Sequence, residues 1–272
     1  MAIVAALSGA LVGREQELRR LRAAILNCQS RLIWGPPDAG KTCLIQHALA
    51  QLSAAVRRKC ICWSGPATGR ELAAHLLREL YRAGDSLVCV KVHADRAGES
   101  TLDRWLHKQS LLRMRGILYS ATERGDYRVF LDHLPAPTHK MAHFLKELMN
   151  RCKTPIYYTG PGYSAAEIGC AWSLYWADEY RIRLEPLSET LARELLEACI
   201  RKFSLSGLDL EGFREDILHL SGRLPGSIVK MCELAADPRY HYHDQVKVKL
   251  LHVDYLLQAH RFASSSAVGS HA

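Results

Sequence analysis

The octet Gly35-Pro36-Pro37-Asp38-Ala39-Gly40-Lys41-Thr42 constrains this chain more than any other stretch, because it fits G-x-x-x-x-G-K-[ST], the phosphate-binding loop. The glycines let the backbone bend until successive N–H groups point into one concavity. All eight residues are candidate nucleotide contacts. Lys41 would reach the β- and γ-phosphates, and the Thr42 hydroxyl would ligate Mg²⁺. The flanks support this reading. Arg31-Leu32-Ile33-Trp34 is a short apolar run suited to a buried strand, while Leu44, Ile45, Ala48, Leu49 and Leu52 recur at helical spacing downstream. Strand, glycine loop and helix place the positive end of a helix dipole under the phosphates.

Further along, the pattern alternates. A helix opens at Leu11–Glu15 and carries Leu18, Leu21 and Ile25 on one face, with Arg19, Arg20 and Arg22 mostly outside. Cys60–Trp63 reads as a second strand, broken by Gly65–Gly69 and followed by a helix over 71–81. Residues 84–100 are weakly patterned and read as loop, and Leu102–Ser120 reads as one helix. Tyr127–Asp132 is a third strand, ending in an acid. A helix over Met141–Met149, a strand at Pro155–Thr159 and a final strand at Tyr180–Leu184 follow. Strands alternating with helices imply a parallel, three-layer α/β sheet. After Glu185-Pro186-Leu187-Ser188 the pattern is purely helical, with stripes at Leu191/Leu195/Leu196, Phe213/Ile217/Leu218/Leu220 and Ile228/Met231/Leu234. The expected division is a core over 1–187, a small helical lid over 188–262 and a disordered tail over 263–272.

The 272 residues are 48% hydrophobic and 24% charged, a composition for folded globular domains. The nine cysteines include no C-x-x-C pair; odd in number and unpatterned, they suit a reducing, cytoplasmic setting. A net charge of +8 is compatible with a DNA partner without requiring one. No apolar stretch is long enough to span a membrane, and Met1–Gly13 lacks the basic leader of a secretory signal.

Asp132, at the end of an apolar strand well downstream of the loop, stands where a P-loop enzyme needs a carboxylate for hydrated Mg²⁺. Thr159 ends the next strand; it would contact the γ-phosphate or the attacking water, or simply close the strand before Gly160-Pro161-Gly162. Arg181 and Arg183 alternate with Ile182 and Leu184, as the outward side of a strand or as phosphate-sensing arginines.

In order along the chain, these landmarks resemble the AAA+/STAND group of P-loop ATPases, especially its origin-recognition-like and transposition-helper branches. The resemblance begins at Leu11-Val12-Gly13-Arg14-Glu15, similar to a family segment that packs near the adenine. It continues through Gly35–Thr42, Leu131-Asp132, Thr159 and Arg183–Ser188, and ends at Ser221-Gly222-Arg223-Leu224-Pro225-Gly226, similar to the STAND G-x-P motif. It implies a helical lid, ATP and Mg²⁺ as ligands, Asp132, His133 and Thr159 as the catalytic set, and Pro225 at the nucleotide edge. Two departures stand out. His133 replaces the family's water-polarising glutamate, which implies slow hydrolysis, and Pro225 replaces the sensor arginine of the origin-recognition branch. The expected function is an ATP-dependent switch acting on a protein partner, in a possible oligomer. The alternative is a DNA-associated ATPase working in a multimer.

Overall fold

The computed structural model describes residues 11–65, 68–95, 101–123, 126–160 and 162–268. Five strands form one sheet: β1 (Arg31–Trp34), β2 (Cys60–Ser64), β3 (Arg128–Asp132), β4 (Ile156–Gly160) and β5 (Arg181–Arg183). Every pair is parallel, and the spatial order is β2-β3-β4-β1-β5. The first strand is thus internal, and the β4-to-β5 connection crosses it.

Burial explains why these runs are strands. Parallel sheets are covered on both faces, so their inner strands are apolar throughout rather than alternating. In β3, Val129, Phe130 and Leu131 are all buried, and in β4 all of Ile156–Gly160 is. The polar groups that come with these strands are satisfied locally. Tyr157 donates its hydroxyl to Ala24 O (3.1 Å), and Tyr158 donates to Leu134 O (3.0 Å). Tyr175, from the segment after β4, donates to Ile156 O (3.1 Å). Burial pushes all three phenols above the ordinary tyrosine range. Buried Arg128 spends its guanidinium on Ile25 O (2.9 Å), Asp126 O (2.7 Å) and Cys28 Sγ (3.1 Å), which offsets the cost of carrying a charge inside.

Register fixes what stands at the carboxyl edge of the sheet. Ile33 pairs with Thr159 and Trp34 with Gly160, while Ser64 pairs with Asp132 and Leu131 with Tyr158. Asp132, Thr159 and the residue that leads into the phosphate loop therefore end neighbouring strands at one edge, where open α/β sheets bind ligands.

Helices flank the sheet. Gly69–Arg82 starts with a capping box, Thr68 and Glu71 each bonding the other's backbone N–H, and buries Leu72, Leu76, Leu77 and Leu80. His139–Asn150 starts at an N-cap, Thr138, and buries Phe144, Leu145 and Leu148. Several elements differ from the sequence reading. Residues 84–100 contain a helix, Ser86–Asp95, whose Val88 and Val92 are buried and whose first turn is held by Asp85. Two buried positions make too short a stripe to see. The segment 102–120 is two helices, Leu102–Lys108 and Leu111–Thr122, because Ser110 leaves helical geometry to cap the second. The C-terminal part is not purely helical either. A hairpin pairs His241–Tyr242 with Gln245–Val246, its turn made by His243 at φ +54°.

Contacts divide the chain into two compact units. One, Leu18–Trp34 with Ala48–Arg183, holds the sheet and its core. The other comprises Gly35–His47 and the chain from Leu184 onward, with residues 11–17. In it, helices Glu189–Lys202, Phe213–Leu220, Pro225–Ala235 and Val248–Val268 bury Leu195, Leu196, Ile217, Ile228, Met231 and Leu251 together. The last helix includes residues 263–268, read from the sequence as tail; 269–272 lie outside the described residues.

Phe144 is fully buried, with the Arg115 guanidinium 4.7 Å from its ring centre. Phe144→Ala should cost about 3–5 kcal/mol in urea unfolding through the cavity it leaves. A loss under ~1 kcal/mol would mean that this core is not packed as described.

Candidate phosphate-binding site

The loop Gly35–Gly40 reverses backbone hand repeatedly: φ is +148° at Gly35, +62° at Asp38 and +94° at Gly40. Such alternation turns amides toward a common centre and makes a concavity for an anion. Pro36 and Pro37 have no N–H to contribute, so after Gly35 the next backbone donor of the loop is Asp38. Ala39 N–H closes a turn onto Pro36 O (3.3 Å), and Leu44 N–H donates to Gly40 O (2.9 Å), starting helix Lys41–Ala50. Gly35 is required by space as well as by φ, since a β-carbon there would lie 2.4 Å from Leu184 O.

Lys41 Nζ donates to Gly35 O and Pro36 O, both at 2.7 Å, so the ammonium spans the loop it belongs to. A left-handed loop, a lysine head and the first turn of a ten-residue helix converge here. These residues fit a polyphosphate. Thr42, in that first turn, offers the hard oxygen donor that Mg²⁺ prefers.

Three neighbours brace the loop. Buried Arg14 donates through Nη2 to Ala39 O (3.4 Å) and to Glu185 O, and pairs with Glu17 at 3.3 Å. In the sequence Arg14 shows only as part of the Leu11–Glu15 segment, because the loop carbonyl it reaches lies 25 residues away. Pro225 places Cγ 3.7 Å from where a β-carbon of Gly40 would lie. Gly226 donates its N–H to Asp38 O (2.8 Å), an approach that a side chain at 226 would block. The Asp38 carboxylate accepts from Lys230 on helix Pro225–Ala235 (2.7 Å) and from the Tyr255 hydroxyl (2.9 Å).

Within the sheet unit, Asp132, His133 and Thr159 form a second cluster. Asp132 Oδ1 accepts from the Thr159 hydroxyl (2.7 Å) and from the His133 N–H (3.1 Å), and its backbone O accepts from Gly65 N–H (2.9 Å). His133 N–H also reaches Thr159 Oγ1 at 3.2 Å. His133 has φ +55°, a region that histidine tolerates better than most residues. This turn leaves its imidazole half exposed, with Nε2 3.5 Å from Asp132 Oδ2. Thr159 is buried and bonded to the acid, which ties the two strand ends that the sequence could only place in order.

The strand-end arginines have aromatic partners. Arg181 lies 3.7 Å over the Trp172 ring and donates to Asp178 (2.9 Å) and Trp176 O (3.1 Å), while Arg183 lies 5.0 Å over Trp34. Cation–π stacking of this kind holds a guanidinium against a strand edge.

The sheet and the glycine loop define an α/β P-loop NTPase fold. No known protein-family description and no curated protein matches the chain. Solved structures do. The Walker-type ATPase of Pyrococcus abyssi is 20% identical, with TM-score 0.50 over 82% of this chain and 67% of that one. The ORC1 protein of Aeropyrum pernix, solved in complex with DNA, is 16% identical, with TM-score 0.54 over 92% and 67%. The Cdc6p of Pyrobaculum aerophilum is 13% identical, with TM-score 0.53 over 84% and 62%. The fold they share with this chain is the one that the resemblance to AAA+/STAND P-loop ATPases implies. At such identities the likeness establishes the fold.

Thr159→Val keeps the shape and removes the hydroxyl that Asp132 accepts from. It should destabilise the protein by about 1.5–3 kcal/mol in urea, the usual value of a hydrogen bond to a charged group. Unchanged stability would show that the bond contributes nothing.

Proposed function

We propose that the chain is an ATP-binding P-loop NTPase that works as a nucleotide-dependent switch, with slow or partner-stimulated hydrolysis. One observation carries the reading: the Lys41 ammonium poised across a left-handed glycine loop at a helix start. Gly35–Thr42 would cradle the phosphates, with Lys41 on the β- and γ-groups. Thr42 and Asp132 would hold Mg²⁺, which supplies charge neutralisation to the transferring phosphoryl group. Thr159 would orient Asp132, or meet the γ-phosphate or the water. Pro225, beside Gly40, would lie at the nucleotide edge.

Slow turnover is proposed from His133. A neutral imidazole accepts a hydrogen bond more weakly than a carboxylate, and here its ring leans toward Asp132 (3.5 Å). The division into a core over 1–187, a lid over 188–262 and a tail over 263–272 belongs to the same proposal, as does a cytoplasmic setting. Among the described residues, no helix is long and apolar enough to cross a membrane.

A DNA-associated, oligomeric ATPase is the second reading. It is favoured by the net charge of +8 and by the ORC1 neighbour having been solved with DNA. ATP turnover with and without duplex DNA separates the two. Tight binding with negligible turnover in both cases supports the switch, and stimulation by DNA supports the second reading.

Lys41→Ala should abolish ATP·Mg²⁺ binding by calorimetry while leaving the unfolding transition in place, because the lysine contributes charge rather than core packing. Unchanged affinity would remove this loop as the site. His133→Glu should raise turnover by about tenfold, equivalent to ~1.4 kcal/mol of barrier. A large loss instead would show that His133 itself acts in catalysis.

A further inference from the structure

An aspartate inside a phosphate-binding loop is an electrostatic oddity. A carboxylate at Asp38 would oppose every phosphate that the loop is built to receive, unless another group cancels it. The structure supplies that group. Lys230 Nζ lies 2.7 Å from Asp38 Oδ1. The Tyr255 hydroxyl donates to Oδ2 at 2.9 Å, and the Ser227 hydroxyl reaches the same oxygen at 3.5 Å while bonding Tyr255 at 2.8 Å. The backbone joins in, with Gly226 N–H donating to Asp38 O at 2.8 Å. Ser227 and Lys230 both stand on helix Pro225–Ala235, and Tyr255 stands on the last helix. The aspartate side chain is 20% exposed and the lysine 53%, so the ion pair is only partly screened by water.

We propose that Asp38 is a positioning residue: it clamps the phosphate loop to the lid helices, and Lys230 cancels its charge so that the loop stays receptive to phosphate. The inference rests on the reading of Gly35–Thr42 as the phosphate site, and it adds what that reading lacks, a route by which lid and loop sense each other. Asp38 holds the left-handed turn from one side through its backbone and reports on the lid through its carboxylate. A lid that moves away strips the carboxylate of its cation and turns the loop against its ligand. A loop filled by phosphate favours the lid position in which Lys230 stays in place. Each event biases the other by the same free energy.

Three variants test this: Lys230→Met, Asp38→Asn and the double variant. Asparagine is close to isosteric with aspartate and tolerates the left-handed backbone, so the fold is not challenged at position 38. In urea unfolding without nucleotide, the double variant should lose clearly less stability than the two single losses added together, because the two residues share one interaction. In titration with ATP·Mg²⁺, Lys230→Met should weaken binding about tenfold, and the deficit should shrink at ~1 M salt, where charge effects are screened. In the Asp38→Asn background the lysine change should cost little further affinity, because no carboxylate is left to cancel, so the double variant should recover most of what Lys230→Met lost. Additive stability losses would overturn the clamp. A double variant that binds ATP no better than Lys230→Met would overturn the charge-cancelling role and make Lys230 a direct phosphate contact. If the wild type failed to bind ATP at all, the phosphate reading would fall, while the nucleotide-free cycle would still decide whether the clamp exists.

Discussion

Everything proposed for this chain depends on a short loop held in a backbone conformation that it would not keep alone. Gly35, Asp38 and Gly40 all take positive φ, and only two of them are glycines. The surrounding residues supply what local preference does not. Leu184 leaves room only for glycine at 35, Arg14 grips the Ala39 carbonyl, and Gly226 grips that of Asp38. Ordering such a loop costs conformational entropy. Meeting that cost in the folded chain, before any ligand arrives, is what lets a binding site act without rearranging.

The two acids near the proposed chemistry are handled alike. Asp132 is held by a threonine hydroxyl from the neighbouring strand, and Asp38 by tyrosine and serine hydroxyls and a lysine. Hydrogen bonds fix the direction in which each carboxylate points. Asp132 also has the ring of His133 beside it, with Nε2 3.5 Å from Oδ2. Asp38 is neutralised, which suits a group that must not repel an anion.

The loop could be read from the sequence because its chemistry is local: glycine, lysine and threonine at fixed spacing between an apolar run and a helical stripe. The inner strands could be read because burial on both faces leaves continuous apolar runs such as Val129–Leu131. What escaped was either too short to show a period or made by distant residues. Helix Ser86–Asp95 buries a valine pair and little else, and the helix break before Leu111 turns on the capping role of one serine. The hairpin at 241–246 pairs two residues with two. Lys230 and Tyr255 lie 192 and 217 residues from Asp38, and no local pattern connects them. One signal was available all the same: an acid inside an anion-binding loop needs a cation from somewhere.

Hydrogen–deuterium exchange of the wild-type chain with and without ATP·Mg²⁺ bears most directly on the claim that this loop is a nucleotide site. The expected result is slowed exchange at residues 38–44, and also in helix Pro225–Ala235, which touches the loop through Pro225 and Gly226. Protection confined to other segments, or none at saturating ATP, would contradict it.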